Sequence, residues 1–362
     1  MTVQLPQHGG QAHRVADLLG ISGSELLDFS ANINPDGPPA TVLECLQNLI
    51  DNPAAISNYP DLDEFAVRRS LAEYVGVSSD CIAVSNGFVP LLDSVLRVLR
   101  LQRCLVPVPA FIEYRRTLER SNVEMVPYSL AAASGFMCDP QNLFDEPCDA
   151  ILIANPQNPS GVLHPRDTMF RIVEKAADRK ALVLLDEAFI DYCPESSLVR
   201  EIARFPNLIV FRSITKFFGM AGLRIAYAAM GPDLRDQIQE FTAPWSITSL
   251  ASAAASAAVK DKGYIRRTIE LNNARRNQMQ AGIEAVGIHV YRSAANFLLL
   301  RPYQSIDVRD LWERLVRKHQ ILLRDCTNYE AMEDSHLRAA VRTEEENERL
   351  IAALKQEVGD KQ

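Results

Sequence analysis

No stretch of this 362-residue chain approaches eighteen consecutive apolar positions, so no membrane-spanning helix is predicted. Basic residues never run to five, and the formal net charge is -8, which argues against a nucleic-acid partner. The seven cysteines, at 45, 81, 104, 138, 148, 193 and 326, are scattered and never form Cys-x-x-Cys. An odd, dispersed set points to reduced thiols rather than disulfides or a zinc site. The six histidines contain no His-x-x-x-His pair, so no metal centre is expected. The first fifteen residues lack the apolar run of a secretory signal, and a cytoplasmic protein is the expectation. Internal repeats and low-complexity linkers are missing too.

What is there is an ordinary globular composition, 47% hydrophobic and 23% charged, in a chain long enough for two domains. Short apolar runs alternate with helical patterns through the middle of the chain, which predicts an α/β fold. Seven runs read as strands: Cys81–Ser85, Cys104–Val108, Val123–Tyr128, Ala150–Ala154, Ala181–Asp186, Leu208–Arg212 and Ile225–Met230. Several are almost wholly apolar, as strands covered on both faces should be. The expected architecture is therefore a seven-stranded, mostly parallel sheet sandwiched by helices, with a smaller α+β domain. Residues 41–245 would form the large domain and 246–362 the small one, after the texture changes to long amphipathic helices with brief strands at Ala295–Leu300 and Leu337–Val341. Residues 1–40 read as a loop-like arm belonging in part to the small domain. The Ala/Ser run 251–258 reads as a small-residue helix packed closely against a neighbour.

Polar and glycine-bearing segments follow these strands one after another, and in open α/β sheets ligands bind beyond the carboxyl ends of the strands. Asn86-Gly87 follows the first strand, Phe111 the second and Asn158 the fourth; Asp186 closes the fifth, and Ser213 to Lys216 follow the sixth. Taken singly, each is an ordinary loop or cap. Together they match the needs of pyridoxal 5'-phosphate. The amine of Lys216 would form a Schiff base with its aldehyde. Ser213 and Arg224 would grip its phosphate, the arginine as a bidentate fork. Asp186 would keep the ring nitrogen protonated, the condition for an electron sink. Asn158 could donate to the phenolic oxygen and Phe111 stack on the ring. Gly87 allows close backbone approach, and the helix beginning at Phe88 would offer its N-terminus to the phosphate.

Asn-Pro-x-Asn-Pro-Ser-Gly at 155–161, Asp-Glu-Ala-Phe at 186–189 and Ser-x-Thr-Lys with Gly-Leu-Arg at 213–224 resemble, in order and spacing, the fold type I aminotransferases that use pyridoxal phosphate. The likeness covers essentially the whole chain. Within that superfamily the chain is similar to the histidinol-phosphate aminotransferase branch, and within the branch to the threonine-phosphate decarboxylases that make aminopropanol phosphate for cobalamin. His8-Gly-Gly10, Asp28 to Pro35, Asn58-Tyr-Pro-Asp61 and Ile321 to Tyr329 carry this finer likeness. The resemblance implies a homodimer with shared active sites, Tyr59 reaching the partner's cofactor phosphate. It implies Arg338 as the binder of the substrate carboxylate, Arg324 as a second arginine for a phosphorylated amino-acid substrate, and His8 with Asn32 as the segment closing over it. Two positions depart from common family patterns. Phe189 stands where many aminotransferases carry Tyr, as in the decarboxylase-like group. Phe88-Val89-Pro90 replaces that group's usual Glu and small polar residue, removing a polar side chain near the phosphate. A non-catalytic binding protein on the same fold is the contrasting class, but it would be expected to have lost Lys216 or Asp186, and both are present.

Overall fold

A computed structural model describes residues 6–21, 26–303, 305–332 and 335–359. All seven expected strands form, as β1 (Ile82–Ser85), β2 (Arg103–Val108), β3 (Glu124–Ser129), β4 (Ala150–Ala154), β5 (Leu182–Asp186), β6 (Leu208–Ser213) and β7 (Ala226–Ala229). They make one sheet in the order β1-β7-β6-β5-β4-β2-β3. β7 runs antiparallel to both its neighbours, and the other pairings are parallel.

Successive strand side chains point to opposite faces, and here both faces are covered. Leu105, Ile151, Ile153, Val183 and Leu185 face a core shared with helices Phe65–Val75, Arg166–Asp178 and Ser249–Ala258. Cys104, Val106, Leu152 and Leu184 face the opposite core, shared with helices Phe88–Leu99, Ile112–Arg120 and Pro232–Phe241. Each fully buried Leu, Ile or Val contributes about 1.5–3 kcal/mol by leaving water. That two-sided burial is why these strands read as unbroken apolar runs. The helix Ser249–Ala258 packs by its alanines on helices Ala40–Ile50 and Phe65–Val75, as its small residues led us to expect.

A second sheet of four antiparallel strands joins Arg324–Asp325, Leu337–Ala340, Phe297–Arg301 and His289–Val290, in that order. Helices Lys262–Ala285, Val308–His319 and Glu344–Gly359 lie against it, and Met279, Leu311, Leu315 and Leu350 belong to its core. The loop-like reading of the first forty residues needs correction. Helix Ala12–Leu19 forms there, and Leu27–Asp28 pairs in parallel with Ile321–Leu322. Val15 and Phe29 are buried in the second sheet's core. Eight residues cannot hold a helix by propensity alone, so tertiary packing, invisible in the local pattern, makes this one. Among the described residues no helix is long and apolar enough to cross a membrane.

Candidate active site

The sheet topology gathers the expected residues along one edge. β5 ends at Asp186 and β6 at Ser213, with Asp186 opposite Phe211 and Ser213 opposite Ala226. Because β7 runs the other way, the residues before it, Arg224 among them, arrive at the same edge. Lys216 sits in the single-turn helix Ile214–Phe217 that follows β6. Its Nζ donates to Ser213 Oγ at 3.4 Å, and Ser213 Oγ lies 2.8 Å from Thr215 Oγ1. The same Nζ lies 5.6 Å from the centre of the Phe189 ring. Burial pushes the Lys216 amine below the usual lysine range; Asp186 opposes this, and Arg224 and Arg338 add to it. A lowered proton affinity favours the free amine, the form that can attack an aldehyde.

Asp186 has 7% of its surface exposed and is fixed at both oxygens. Oδ1 accepts from the Ala188 N–H at 2.9 Å and Oδ2 from the Tyr114 hydroxyl at 2.5 Å. Burial raises its pKa, against the Tyr114 hydrogen bond, the Lys216 charge and the Ala188 amide. Gly87 has φ +104°, a conformation that side chains disfavour. A Cβ there would stand 2.8 Å from an Arg224 guanidinium nitrogen, so only glycine lets the arginine lie across this turn. The Gly87 amide is taken up within the turn, donating to the Ser85 carbonyl at 2.7 Å. The helix Phe88–Leu99 then begins directly behind it, leaving the Phe88 and Val89 amides at its open end. Asn86 itself is exposed. Phe111 meets Phe88 and Tyr114 edge to face, with centres 6.5 and 5.7 Å apart.

The opposite wall comes from the second sheet and the N-terminal segment. Arg338 is 6% exposed; it donates to Asn158 Oδ1 at 2.6 Å and to the Ser30 carbonyl at 3.3 Å. Arg324, 5% exposed, stands directly across the strand pair from Arg338. It donates to the Gln7 carbonyl at 2.7 Å and to Asn328 Oδ1 at 3.0 Å. Among the described residues, neither arginine is paired with a carboxylate. Asn32 is buried with its Oδ1 unpartnered, between Ser30, which holds Arg338, and Asn34, whose N–H donates to the Lys216 carbonyl at 3.0 Å. His8 reaches Glu113 at 3.0 Å and packs on the edge of Phe111 at 6.3 Å. The next residue must be glycine, because a Cβ at Gly9 would fall 2.0 Å from the Ser30 carbonyl oxygen. Arg342 points elsewhere, to Glu346 and the Asp28 carbonyl. Tyr59 lies outside the cluster, 79% exposed, its ring tilted against Trp245 with centres 4.6 Å apart.

Two site residues went unread in the sequence. Tyr114 is three residues beyond Phe111, a spacing that puts both on one helix side, and that was the available signal. Ser30 lies in the Asp28 to Pro35 segment that carries the family likeness, but nothing there gave it a role: its carbonyl orients Arg338, and its hydroxyl accepts from the Gly10 N–H at 2.9 Å while donating to Asp28 Oδ1 at 2.5 Å.

A buried lysine with a weakened hold on its proton, a strand-end acid and a glycine turn under an arginine fit pyridoxal 5'-phosphate. Residues 24–354 match the family described as aminotransferase class I and II. The chain belongs to that family, whose members are enzymes working through pyridoxal 5'-phosphate. It is 36% identical over 358 residues to the threonine-phosphate decarboxylase of Salmonella typhimurium, covering 96% of this chain and 95% of that protein. It is 31% identical over 349 residues to histidinol-phosphate aminotransferase 1 of Nitrosococcus oceani, covering 92% of this chain and 89% of that one. The crystal structure of the histidinol-phosphate aminotransferase from Clostridium acetobutylicum superposes with a TM-score of 0.86 at 29% identity, covering 92% of this chain and all of that one.

Proposed function

We propose that the chain decarboxylates L-threonine O-3-phosphate to (R)-1-aminopropan-2-yl phosphate. The observation that carries this reading is the Arg324–Arg338 pair. Two buried guanidinium groups on directly opposed strand positions repel, and among the described residues each donates only to neutral oxygens. A substrate carrying both a carboxylate and a phosphate would neutralise them together. The full-length likeness to a threonine-phosphate decarboxylase supports the same choice.

When bound, the cofactor supplies an electron sink for the pair left at the substrate's α-carbon. Lys216 would carry it covalently, Ser213, Arg224 and the helix at Phe88 would hold its phosphate, and Asp186 and Asn158 would flank its ring, with Phe111 against one face. Phe189 has no hydroxyl to offer, so Asn158 would be the donor on its side. Arg338, held by Asn158 and Ser30, would orient the carboxylate. In the reaction the bond from the α-carbon to the carboxylate breaks, carbon dioxide leaves, and a proton is added at the α-carbon. His8 and Asn32, on the segment anchored through Ser30 and Gly9, would close the site against water. The exposed Tyr59, with Trp245, Leu62 and Phe65 also exposed nearby in sequence or by ring contact, supports a homodimer in which Tyr59 serves the partner's site; sedimentation of a single monomer at micromolar concentration would refute it.

A second reading, a histidinol-phosphate aminotransferase, is favoured by the close superposition on such an enzyme. Product analysis separates the two. Carbon dioxide release from threonine phosphate without any 2-oxo acid is the expected result. Turnover that needs 2-oxoglutarate, with no carbon dioxide formed, establishes the second reading instead.

A further inference from the structure

Tyr114 is 1% exposed, and burial raises its phenol well above the ordinary tyrosine range, so it stays protonated and is the donor to Asp186 Oδ2. It lies on helix Ile112–Arg120, anchored by a ring cluster at the sheet edge. Its centre is 5.7 Å from Phe111 and 5.8 Å from Phe88, and Phe88 in turn lies 5.3 Å from Phe211 at right-angle-like inclination. Phe88, the residue that departs from the decarboxylase-like pattern, thus walls off the Tyr114–Asp186 contact with hydrocarbon. A hydrogen bond to a charged acceptor is strongest where water is excluded.

We propose that Tyr114 is a positioning residue that, walled in by Phe88, clamps Asp186 as an anion and so keeps the cofactor's ring nitrogen protonated. The inference rests on the reading that Asp186 faces that nitrogen. The chemistry is a competition for one proton. A carboxylate deep in a dry site would rather be neutral. Each donor it accepts from makes it a weaker base, leaving the proton on the ring. Asp186 has two such donors, Ala188 and Tyr114, and only the second belongs to a side chain that can be changed. Removing the Tyr114 hydroxyl makes Asp186 the better proton holder, and the electron sink weakens.

The test reconstitutes apoprotein with pyridoxal phosphate labelled with nitrogen-15 in its ring, and reads ring protonation by NMR. Wild type should give a pyridinium signal. Tyr114→Phe keeps the ring against Phe88 and Phe111 but should move the signal toward unprotonated pyridine. Its kcat should fall roughly 10- to 100-fold with little change in KM, the loss expected for one hydrogen bond to a charged group. Tyr114→His, which restores an N–H donor, should keep more of the pyridinium signal than Tyr114→Phe. A wild-type signal in Tyr114→Phe overturns the proposal, as does equal loss in both variants, which would mean that a donor restored at this position does not hold Asp186 as an anion. Asp186→Asn isolates the underlying reading: if it too leaves the wild-type signal, Asp186 does not face the ring nitrogen and that reading fails with it.

Discussion

Along the edge of the seven-stranded sheet, Asp186, Ser213, Lys216 and Arg224 are each placed by a strand end. Across from them, Arg324 and Arg338 stand on a four-stranded sheet and take their partners from carbonyl and amide oxygens of other segments. The first wall is electrostatically closed: an acid, a lysine and an arginine lie together, and even the carboxylate's two oxygens are both satisfied. The second wall is open, two cations without an anion among the described residues. A closed wall suits a resident group that never leaves. An open wall suits a ligand that must arrive with its own negative charge, bind and depart.

The largest effect should come from the closed wall. Lys216→Ala should lose covalent attachment of the cofactor, seen as failure of borohydride to fix it to protein. Activity should fall by ~10^2–10^4 or more, the scale of removing a positioned proton-transfer and nucleophilic group. If Lys216→Ala still retained borohydride-fixed cofactor, another lysine would be the attachment point and the comparison would collapse.

The open wall should answer with discrimination between arginines. If Arg338 holds the substrate carboxylate as proposed, Arg338→Ala should cost a buried charge–charge contact, about 2–5 kcal/mol, or at least ~30-fold in kcat/KM. Arg342→Ala removes an ion pair with Glu346, worth about 0–1 kcal/mol, and a hydrogen bond to the Asp28 carbonyl; neither reaches the cross-strand arginine pair, so kcat/KM should stay within about fivefold. Steady-state kinetics on both variants checks this. Equal losses would mean that the two arginines share one role and that the cross-strand pair is the wrong boundary for the substrate site.

The two walls also differ in how far they could be read beforehand. Strands buried on both faces announce themselves as apolar runs, and their ends locate Asp186, Ser213 and Lys216 with no knowledge of packing. The four-stranded sheet was half legible: strands expected at Ala295–Leu300 and Leu337–Val341 form as Phe297–Arg301 and Leu337–Ala340, but His289–Val290 and Arg324–Asp325 are two residues long and show no periodicity. Helix Ala12–Leu19 and the pairing of Leu27–Asp28 depend on contacts some three hundred residues away in sequence. Arg324 and Arg338 were therefore reached only through family likeness, while their facing register, which gives them chemical meaning, is a property of the sheet. Tyr114 was hidden for a different reason. A tyrosine on an amphipathic helix has many partners to choose from, and only the strand order brings Asp186 to its hydroxyl.

The smallest effect tests whether the closed wall is rigid as well as neutralised, through His164 behind the loop that carries Asn158. His164 is wholly buried; its ring Nε2 accepts from the Cys138 N–H at 3.0 Å, and its backbone N–H donates to Asn155 Oδ1 at 2.8 Å. Burial pushes its pKa down from 6.5 to about 4. Because the folded value is depressed, the unfolded chain takes up a proton first as pH falls. Stability is therefore full above about pH 6.5 and is lost between there and about pH 4, by on the order of 2–3 kcal/mol. His164→Gln offers an acceptor that does not titrate, so its urea midpoint should fall less than that of wild type between pH 7 and pH 4.5. Parallel losses in the two proteins would place the acid sensitivity elsewhere. A steeper loss of activity than of global stability in wild type, absent from the variant, would tie it to the loop: protonated His164 can no longer accept from Cys138, and Asn158 would lose its fixed place beside Arg338.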